Sequence, residues 1–352
     1  MGDGTEKKFM NTEYIAAPEY ISGDDVQKAV RVWSSGGLVA FPTETVYGLG
    51  ANAFDQQAVA KLFAVKGRPA DNPLILHLAL PSQLIDVAEV PEIACHLIEC
   101  GLIPGPLTLV LKKNESIPRI VTGGLDTVAV RFPANEVARK LLSACGFPVA
   151  APSANLSGRP SPTTAAHVRN DLDGRIEMII DGGSCEIGIE STVLDLTREL
   201  PVILRPGFVT REELETACGC RVLEAPALAP AVAPASPGMK YKHYAPRGEV
   251  VLVNGSDEAL AAYLRAKEKG SAVMLLKAST AEKLLPQANG DIFILGEDED
   301  MAGIAKNLYA MLRLADERDA KIVIIDSVSE TGAGTAIMNR IKKAAGTEKM
   351  VL

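Results

Sequence analysis

The sequence predicts an α/β chain in two unequal parts: a larger N-terminal part with a twisted, mixed sheet, and a smaller C-terminal part with a Rossmann-like parallel sheet. Three observations lead there. Several apolar strand-like runs in the first two thirds follow one another with no helix between them, which a purely parallel sheet does not allow. After residue 248 such runs alternate cleanly with helical patterns, as parallel strands with covering helices require. Between the two lies Leu223–Gly238, rich in Ala and Pro and without apolar period, which reads as a linker. The expected boundaries are 1–220, a linker or lid over 221–247, and 248–352.

In the larger part, Ser22 can cap a helix over Asp24–Ser34, which Gly36-Gly37 ends. Leu38–Phe41 reads as a buried strand stopped by Pro42. Asp55 caps a second helix with Ala58, Val59, Leu62 and Phe63 on one face, ending at Lys66-Gly67. Further strands are expected at Leu74–Ala79, Leu107–Leu111, Thr127–Phe132, Val149–Ala151, Glu177–Ile180, Ser191–Leu196 and Val202–Leu204. In the smaller part, strands fit Val250–Val253, Ala272–Leu276, Ile292–Leu295 and Ile322–Ile325. Helices there fit Asp257–Lys269, Ala281–Leu285, Met301–Glu317 and Thr335–Ala345. No GxGxxG follows the first of these strands, so no dinucleotide is assigned.

Composition narrows the function. With 352 residues and 47% apolar content the chain can bury two cores, and with only 5% aromatics those cores rest on Val, Ile, Leu and Ala. A net charge of −8 argues against a bulk nucleic-acid binder. The six cysteines form no CxxC and complete no zinc set, so reduced thiols and no bound metal are expected. No stretch has the apolar length of a membrane span, and Met1–Met10 lacks the apolar core of a signal peptide. The expectation is a cytoplasmic protein with no membrane association.

Four polar clusters sit at strand ends or starts, where α/β sheets place ligands. Phe41–Gly50 carries Thr43, Glu44, Thr45 and Tyr47. Lys66–His77 carries Lys66, Arg68, Asn72 and His77 on a segment stiffened by Pro69 and Pro73. Ala151–Thr163 carries Ser153, Asn155 and Thr163. Gly188–Gly207 carries Glu190, Ser191 and Arg205. Each has an ordinary reading as well. The hydroxyl-rich segments could be polar turns, the Lys66/Arg68 cations could satisfy helix-terminal carbonyls, and His77 could be a core histidine. Arg131, near the end of TVAVRFP, either faces a cleft or pairs with a buried acid. The chain lacks GxSxG, a Walker GxxxxGK[ST] and HExxH, so any nucleotide is bound without a Walker loop.

Taken together, PTETVYGLG, KGRPADNPL, PSANLSGRPSPT and IESTVLDL resemble the threonylcarbamoyl-adenylate synthase family in order and spacing. Its Lys-x-Arg and distant Ser-x-Asn signature is matched by Lys66/Arg68 and Ser153/Asn155. The linker's end, SPGMKYKHYAP, is similar to the hallmark of the two-domain Sua5 branch of the Sua5/YciO/YrdC family, whose first domain is called YrdC-like. The resemblance spans almost the whole chain and is weakest in residues 1–20 and in the C-terminal part.

What the resemblance implies is a YrdC-like domain around a concave cationic cavity, and a nucleotidyl-transfer reaction. Threonine's amine captures bicarbonate or CO2, and the carbamate attacks the α-phosphorus of ATP and expels pyrophosphate. The product then feeds a separate transferase that modifies adenosine 37 of certain tRNAs. Lys66, Arg68, Ser153 and Asn155 are the implied catalytic set. ATP would be held by Lys66, Arg68, Asn72, Thr127, Asn155, Thr163, Arg205, His243 and Tyr244. L-Threonine would be surrounded by Thr45, His77, Arg131, Ser153 and Ser191. Mg2+ would accompany ATP, and Lys240–Tyr244 would fold over the nucleotide. The competing expectations are a non-catalytic RNA-binding YrdC-like module and a carbamoyl-transfer subunit of hydrogenase maturation. The second of these also carries zinc-finger cysteine pairs, absent from this sequence.

Overall fold

The computed structural model describes residues 10–225, 244–267, 271–285 and 292–346, so most of the expected linker, His243 included, lies outside the described residues. Two sheets organise the rest. The larger contains β1 (Glu13–Ala16), β2 (Val39–Phe41), β3 (Gly48–Asn52), β4 (Ile75–His77), β5 (Leu107–Lys112), β6 (Thr127–Arg131), β7 (Val149–Ala151), β8 (Met178–Asp181), β9 (Thr192–Asp195), β10 (Val202–Arg205) and β11 (Leu223–Glu224). Their spatial order is β1-β8-β2-β3-β7-β4-β6-β5-β9-β10-β11. Pairings β2–β3, β3–β7, β4–β7, β5–β6 and β9–β10 are antiparallel, whereas β1–β8, β2–β8, β4–β6, β5–β9 and β10–β11 are parallel. The sheet is mixed, as the back-to-back strand runs predict.

The smaller sheet contains β12 (Glu249–Val253), β13 (Ala272–Lys277), β14 (Ile292–Gly296) and β15 (Ile322–Asp326), all parallel, in the order β12-β15-β13-β14. Helices Ser256–Lys267, Ala278–Leu284, Met301–Glu317 and Ala333–Ala345 connect or follow these strands.

Local signals act as the sequence suggests. Ser22 Oγ accepts the amide of Asp25 at 3.1 Å, and Asp55 Oδ1 accepts those of Gln57 and Ala58 at 2.9 and 3.1 Å. Each such cap stabilises its helix by about 1 kcal/mol. Gly67 ends the second helix with φ +60°, which turns the chain sharply toward Arg68. Trp33 is fully buried, donates Nε1 to the Gly50 carbonyl at 2.9 Å and packs edge-on to Phe41 at 5.8 Å. Replacing it by Ala would cost about 3–5 kcal/mol.

The structure departs from the sequence reading at one informative place. The Phe41–Gly50 segment is more than a turn, because its end forms β3 against β2. GLGAN has poor strand propensity, but a Cβ at Gly50 would come within 2.7–3.0 Å of Val149, Phe41 and Trp33. Tertiary packing, not propensity, makes that strand. The edge strands β1 and β11 carry no strong apolar alternation and are not among the strands the sequence predicts.

The C-terminal domain packs directly on the larger one. Val46 and Ile189 share an apolar cluster with Tyr244, Leu308, Tyr309, Ile337 and Ile341. Gly188 lies so close to the helix Met301–Glu317 that a Cβ would stand 2.5 Å from the Lys306 Cα.

Candidate active site

Strand register assembles the site. His77 on β4 is opposite Arg131 on β6, Arg131 is opposite Thr108 on β5, and Thr108 is opposite Val193 on β9. Ala151 on β7 faces Ile75 on β4, so the segment Pro152–Asn155 leaves the sheet beside them. The residues preceding β9, Glu190 and Ser191, and the last residue of β10, Arg205, close the other side. A cavity opens among these strand ends. Its lining includes Thr45, Arg68, His77, Arg131, Ser153, Asn155, Ser191, Arg205 and Tyr244. Thus nine of the residues singled out in the sequence meet in one place.

Each polar group is fixed by named partners. Arg131 is buried; it donates Nη1 to Thr45 Oγ1 at 2.7 Å, Nη2 to Glu44 Oε1 at 2.6 Å and Nε to the Gly105 carbonyl at 3.3 Å. Both readings left open for it hold, since it lines the cavity and pairs with a buried acid. The Thr43 hydroxyl bonds the Thr45 hydroxyl at 2.9 Å and donates to the Val46 carbonyl at 2.6 Å, which stiffens that turn. His77 Nδ1 lies 3.1 Å from the Ile75 carbonyl, and the ring sits edge-on to Phe41. Burial, then the charge of Arg131, pushes its pKa down to about 3, so the imidazole is neutral and a weak base.

Arg205 bonds Ser191 through the carbonyl, from Nε at 3.2 Å and Nη2 at 3.0 Å, and through Oγ at 3.2 Å. Ser191 Oγ also meets Thr108 Oγ1 at 2.7 Å. Arg68 donates Nε to the Asn72 carbonyl at 3.2 Å and Nη2 to the Pro73 carbonyl at 2.8 Å, so its own loop orients the guanidinium. Ser153 Oγ donates to Asn155 Oδ1 at 2.5 Å, and Asn155 Nδ2 reaches the Leu156 and Arg159 carbonyls at 2.9 and 3.0 Å.

Lys66 is placed differently from a cavity-facing cation. It is buried, is not part of the lining, and its ammonium donates to the backbone carbonyls of Ser153 and Asn155. Burial, then the charge of Arg68, lowers its pKa well below the usual lysine value. Its position ties the Lys-x-Arg segment to the Ser-x-Asn segment. Asn72 is fully buried behind Arg68, and its side-chain amide has no hydrogen-bond partner among the described residues. Thr127 begins β6, at the opposite end of that strand from Arg131, and Thr163 is buried near His167; neither is in the lining.

Some lining residues were quoted in the sequence but given no role. Thr43, Tyr47, Arg159, Ser161 and Glu190 are among them. Glu190 Oε1 accepts Ser161 Oγ at 2.6 Å, and its other partners come from the C-terminal domain. Those partners carried only a faint signal: a tyrosine and an arginine set in otherwise apolar helical runs, Tyr309 in NLYAML and Arg340 in AIMNRI. No group of three His, Cys, Asp or Glu that could hold a metal occurs among the described residues. Among the described residues, no helix is long and apolar enough to cross a membrane.

Comparison with known proteins gives this geometry a family. Residues 31–207 match the Sua5/YciO/YrdC family model, described as telomere recombination, and residues 209–346 match a model described as the threonylcarbamoyl-AMP synthase C-terminal domain. A threonylcarbamoyl-AMP synthase of Pyrococcus abyssi is 48% identical over 345 residues, covering 95% of this chain and 98% of that protein. One from Bacillus subtilis is 43% identical over 337 residues, covering 95% and 97%. The fold matches the crystal structure of P. abyssi Sua5 complexed with L-threonine with a TM-score of 0.88, at 45% identity, over 97% of this chain and 99% of that one. The chain belongs to the threonylcarbamoyl-AMP synthase family, in its two-domain Sua5 branch.

Proposed function

We propose that the chain makes L-threonylcarbamoyl-adenylate from L-threonine, bicarbonate or CO2, and ATP. The observation that carries this reading is the convergence of Arg68, Arg131 and Arg205 with Ser153, Asn155, Ser191 and Thr45 at one set of strand ends. Family membership and a related structure that holds L-threonine support it further.

The chemistry joins anions. The threonine nitrogen forms a bond to the carbon of CO2, or of bicarbonate with loss of water, and gives up a proton. A carbamate oxygen then bonds the α-phosphorus of ATP while the bond to the β-phosphate bridge oxygen breaks and pyrophosphate leaves. Charge shifts toward that leaving group, so fixed cations lower the barrier. In our reading Arg68 and Arg205 face the triphosphate, and Asn155 holds phosphate or ribose. Lys66 acts by holding Ser153 and Asn155 in place. Thr45, His77, Arg131, Ser153 and Ser191 surround threonine, with Arg131 directed at its carboxylate. Asn72, Thr127 and Thr163 are the remaining candidate contacts to nucleotide, and the Asn72 amide, without a partner among the described residues, has capacity for one. Positioning supplies most of the rate.

Mg2+ brought in with ATP would offset part of the phosphate charge. The Glu190 carboxylate in the lining is already occupied by Ser161, Tyr309 and Arg340, so the triphosphate itself would supply most of the ion's ligands. Tyr244, the described end of the Lys240–Tyr244 segment, lines the cavity and would cover the nucleotide with His243. The product would pass to a tRNA-modifying transferase in the cytoplasm.

The test is pyrophosphate release with ATP, bicarbonate and one amino acid at a time. Release that requires L-threonine is expected. Release indifferent to threonine, or RNA binding without any release, would refute the reading.

A further inference from the structure

The two helices Met301–Glu317 and Ala333–Ala345 place three polar side chains against the cavity's outer wall, and all three are buried. Arg340 is fully buried. It donates Nε to Glu190 Oε2 at 2.9 Å, Nη2 to the Glu190 carbonyl at 3.3 Å and Nη1 to the Pro206 carbonyl at 2.7 Å. Tyr309 OH sits 3.1 and 2.9 Å from the two Glu190 oxygens. The Tyr309 ring stacks on Tyr244 at 5.3 Å, and the Arg340 guanidinium lies 5.7 Å from the Tyr244 ring centre. Arg313 meets Asp171 at 2.9 Å, and Asp171 also accepts Arg159, which lines the cavity.

Glu190 is the pivot. It adjoins Ser191, whose carbonyl and hydroxyl hold Arg205. A buried carboxylate stripped of its donors seeks the nearest cation. After Arg340, the charge that acts most on Glu190 is that of Arg205, which lines the same cavity and is bonded to the adjoining Ser191. With Arg340 and Tyr309 saturating Glu190, Arg205 keeps its bonds to Ser191 and its place in the cavity wall.

We propose that Arg340 and Tyr309 are positioning residues of the nucleotide half of the site: they hold Glu190 and Tyr244 and thereby keep Arg205 aimed into the cavity, so that the C-terminal domain completes a site whose other walls belong to the N-terminal domain. This rests on the reading that the cavity takes ATP. The attached second domain then has a defined task, which its own parallel sheet does not otherwise reveal.

The experiment uses the full chain as wild type, Arg340→Met, Tyr309→Phe and the double variant Arg340→Met/Glu190→Gln. ATP affinity is measured by titration calorimetry, threonine-dependent pyrophosphate release by kinetics, and folding by thermal melting. Arg340→Met is expected to weaken ATP binding about tenfold or more and to raise KM for ATP more than KM for threonine. The double variant is expected to recover much of the affinity, because the neutral amide that replaces the Glu190 carboxylate no longer competes for Arg205; a merely structural role would move the melting temperature and leave the ratio of the two KM values unchanged. If Arg340→Met fails to fold, Tyr309→Phe decides, since it removes one donor and keeps the ring stack; about threefold weaker binding is expected. ATP affinity within about twofold of wild type in the folded variants, or no recovery in the double variant, overturns the inference. A wild-type chain that binds ATP but releases no pyrophosphate with threonine overturns the proposed function instead.

Discussion

Arg131 Nη2 and Glu44 Oε1 lie 2.6 Å apart with both side chains only 5% exposed. The pair fixes the guanidinium whose other arm reaches Thr45 at 2.7 Å. Removing one member of a buried pair leaves the other charge uncompensated, at about 3–5 kcal/mol. Arg131→Met is therefore expected to lower the urea midpoint strongly. Arg131→Met/Glu44→Gln should regain part of that stability without regaining threonine-dependent turnover. Stability restored together with turnover would mean that Arg131 has no role toward substrate.

Lys66 and Arg68 are separated by one residue and should fail in different ways. Lys66→Ala strips the Ser153 and Asn155 carbonyls of a buried donor, so it should destabilise the fold by about 1–3 kcal/mol as well as abolish turnover. Arg68→Ala removes a partly buried side chain from the cavity edge. It should raise KM for ATP at nearly unchanged melting temperature. Equal melting temperatures for the two variants would contradict the assignment of Lys66 as a brace.

The contrast between these neighbours shows what the sequence carries and what it withholds. Caps at Ser22 and Asp55, the mixed first sheet and the alternating second sheet are local patterns, and they read directly. Eight cavity residues were legible because they cluster beside strand ends, whereas Tyr244, in the linker, was pointed to only by the family resemblance. The orientation of Lys66 was not legible, because it depends on carbonyls 87 and 89 positions away. The strand at Gly48–Asn52 was hidden by its glycines, whose reason is the contact with Trp33, Phe41 and Val149. Arg340, Tyr309 and Arg313 looked like ordinary helix residues, since nothing local says which domain they face.

Glu190 should make the fold acid-sensitive. Burial raises its pKa, but the charges of Arg340 and Arg205 more than offset this and bring it to about 2, below the ordinary 4.5. A depressed carboxylate contributes stability that is present above 4.5 and is lost as pH falls toward 2, here of order 3 kcal/mol. Urea midpoints of wild type and Glu190→Gln should therefore converge as the buffer is taken from about pH 6 to about pH 3. A gap that stays constant across that range would show that Glu190 is not held as an ion.

His77 should behave oppositely to a catalytic histidine. With its pKa pushed down to about 3 by burial and Arg131, the ring stays neutral through the working range. Imidazole NMR signals of His77 should show no titration between about pH 5 and pH 8, and His77→Gln should leave the shape of the turnover–pH profile unchanged. A His77 signal that titrates near neutrality would contradict the buried geometry.

In the proposed reaction this cavity joins threonine, an inorganic carbon and AMP in a single product. Mass spectrometry of the reaction of 13C-bicarbonate and 15N-threonine with ATP tests it most directly. One adduct that contains AMP, the labelled nitrogen and the labelled carbon together is expected, appearing in step with pyrophosphate. Pyrophosphate or AMP formed with no adduct carrying both labels would contradict it.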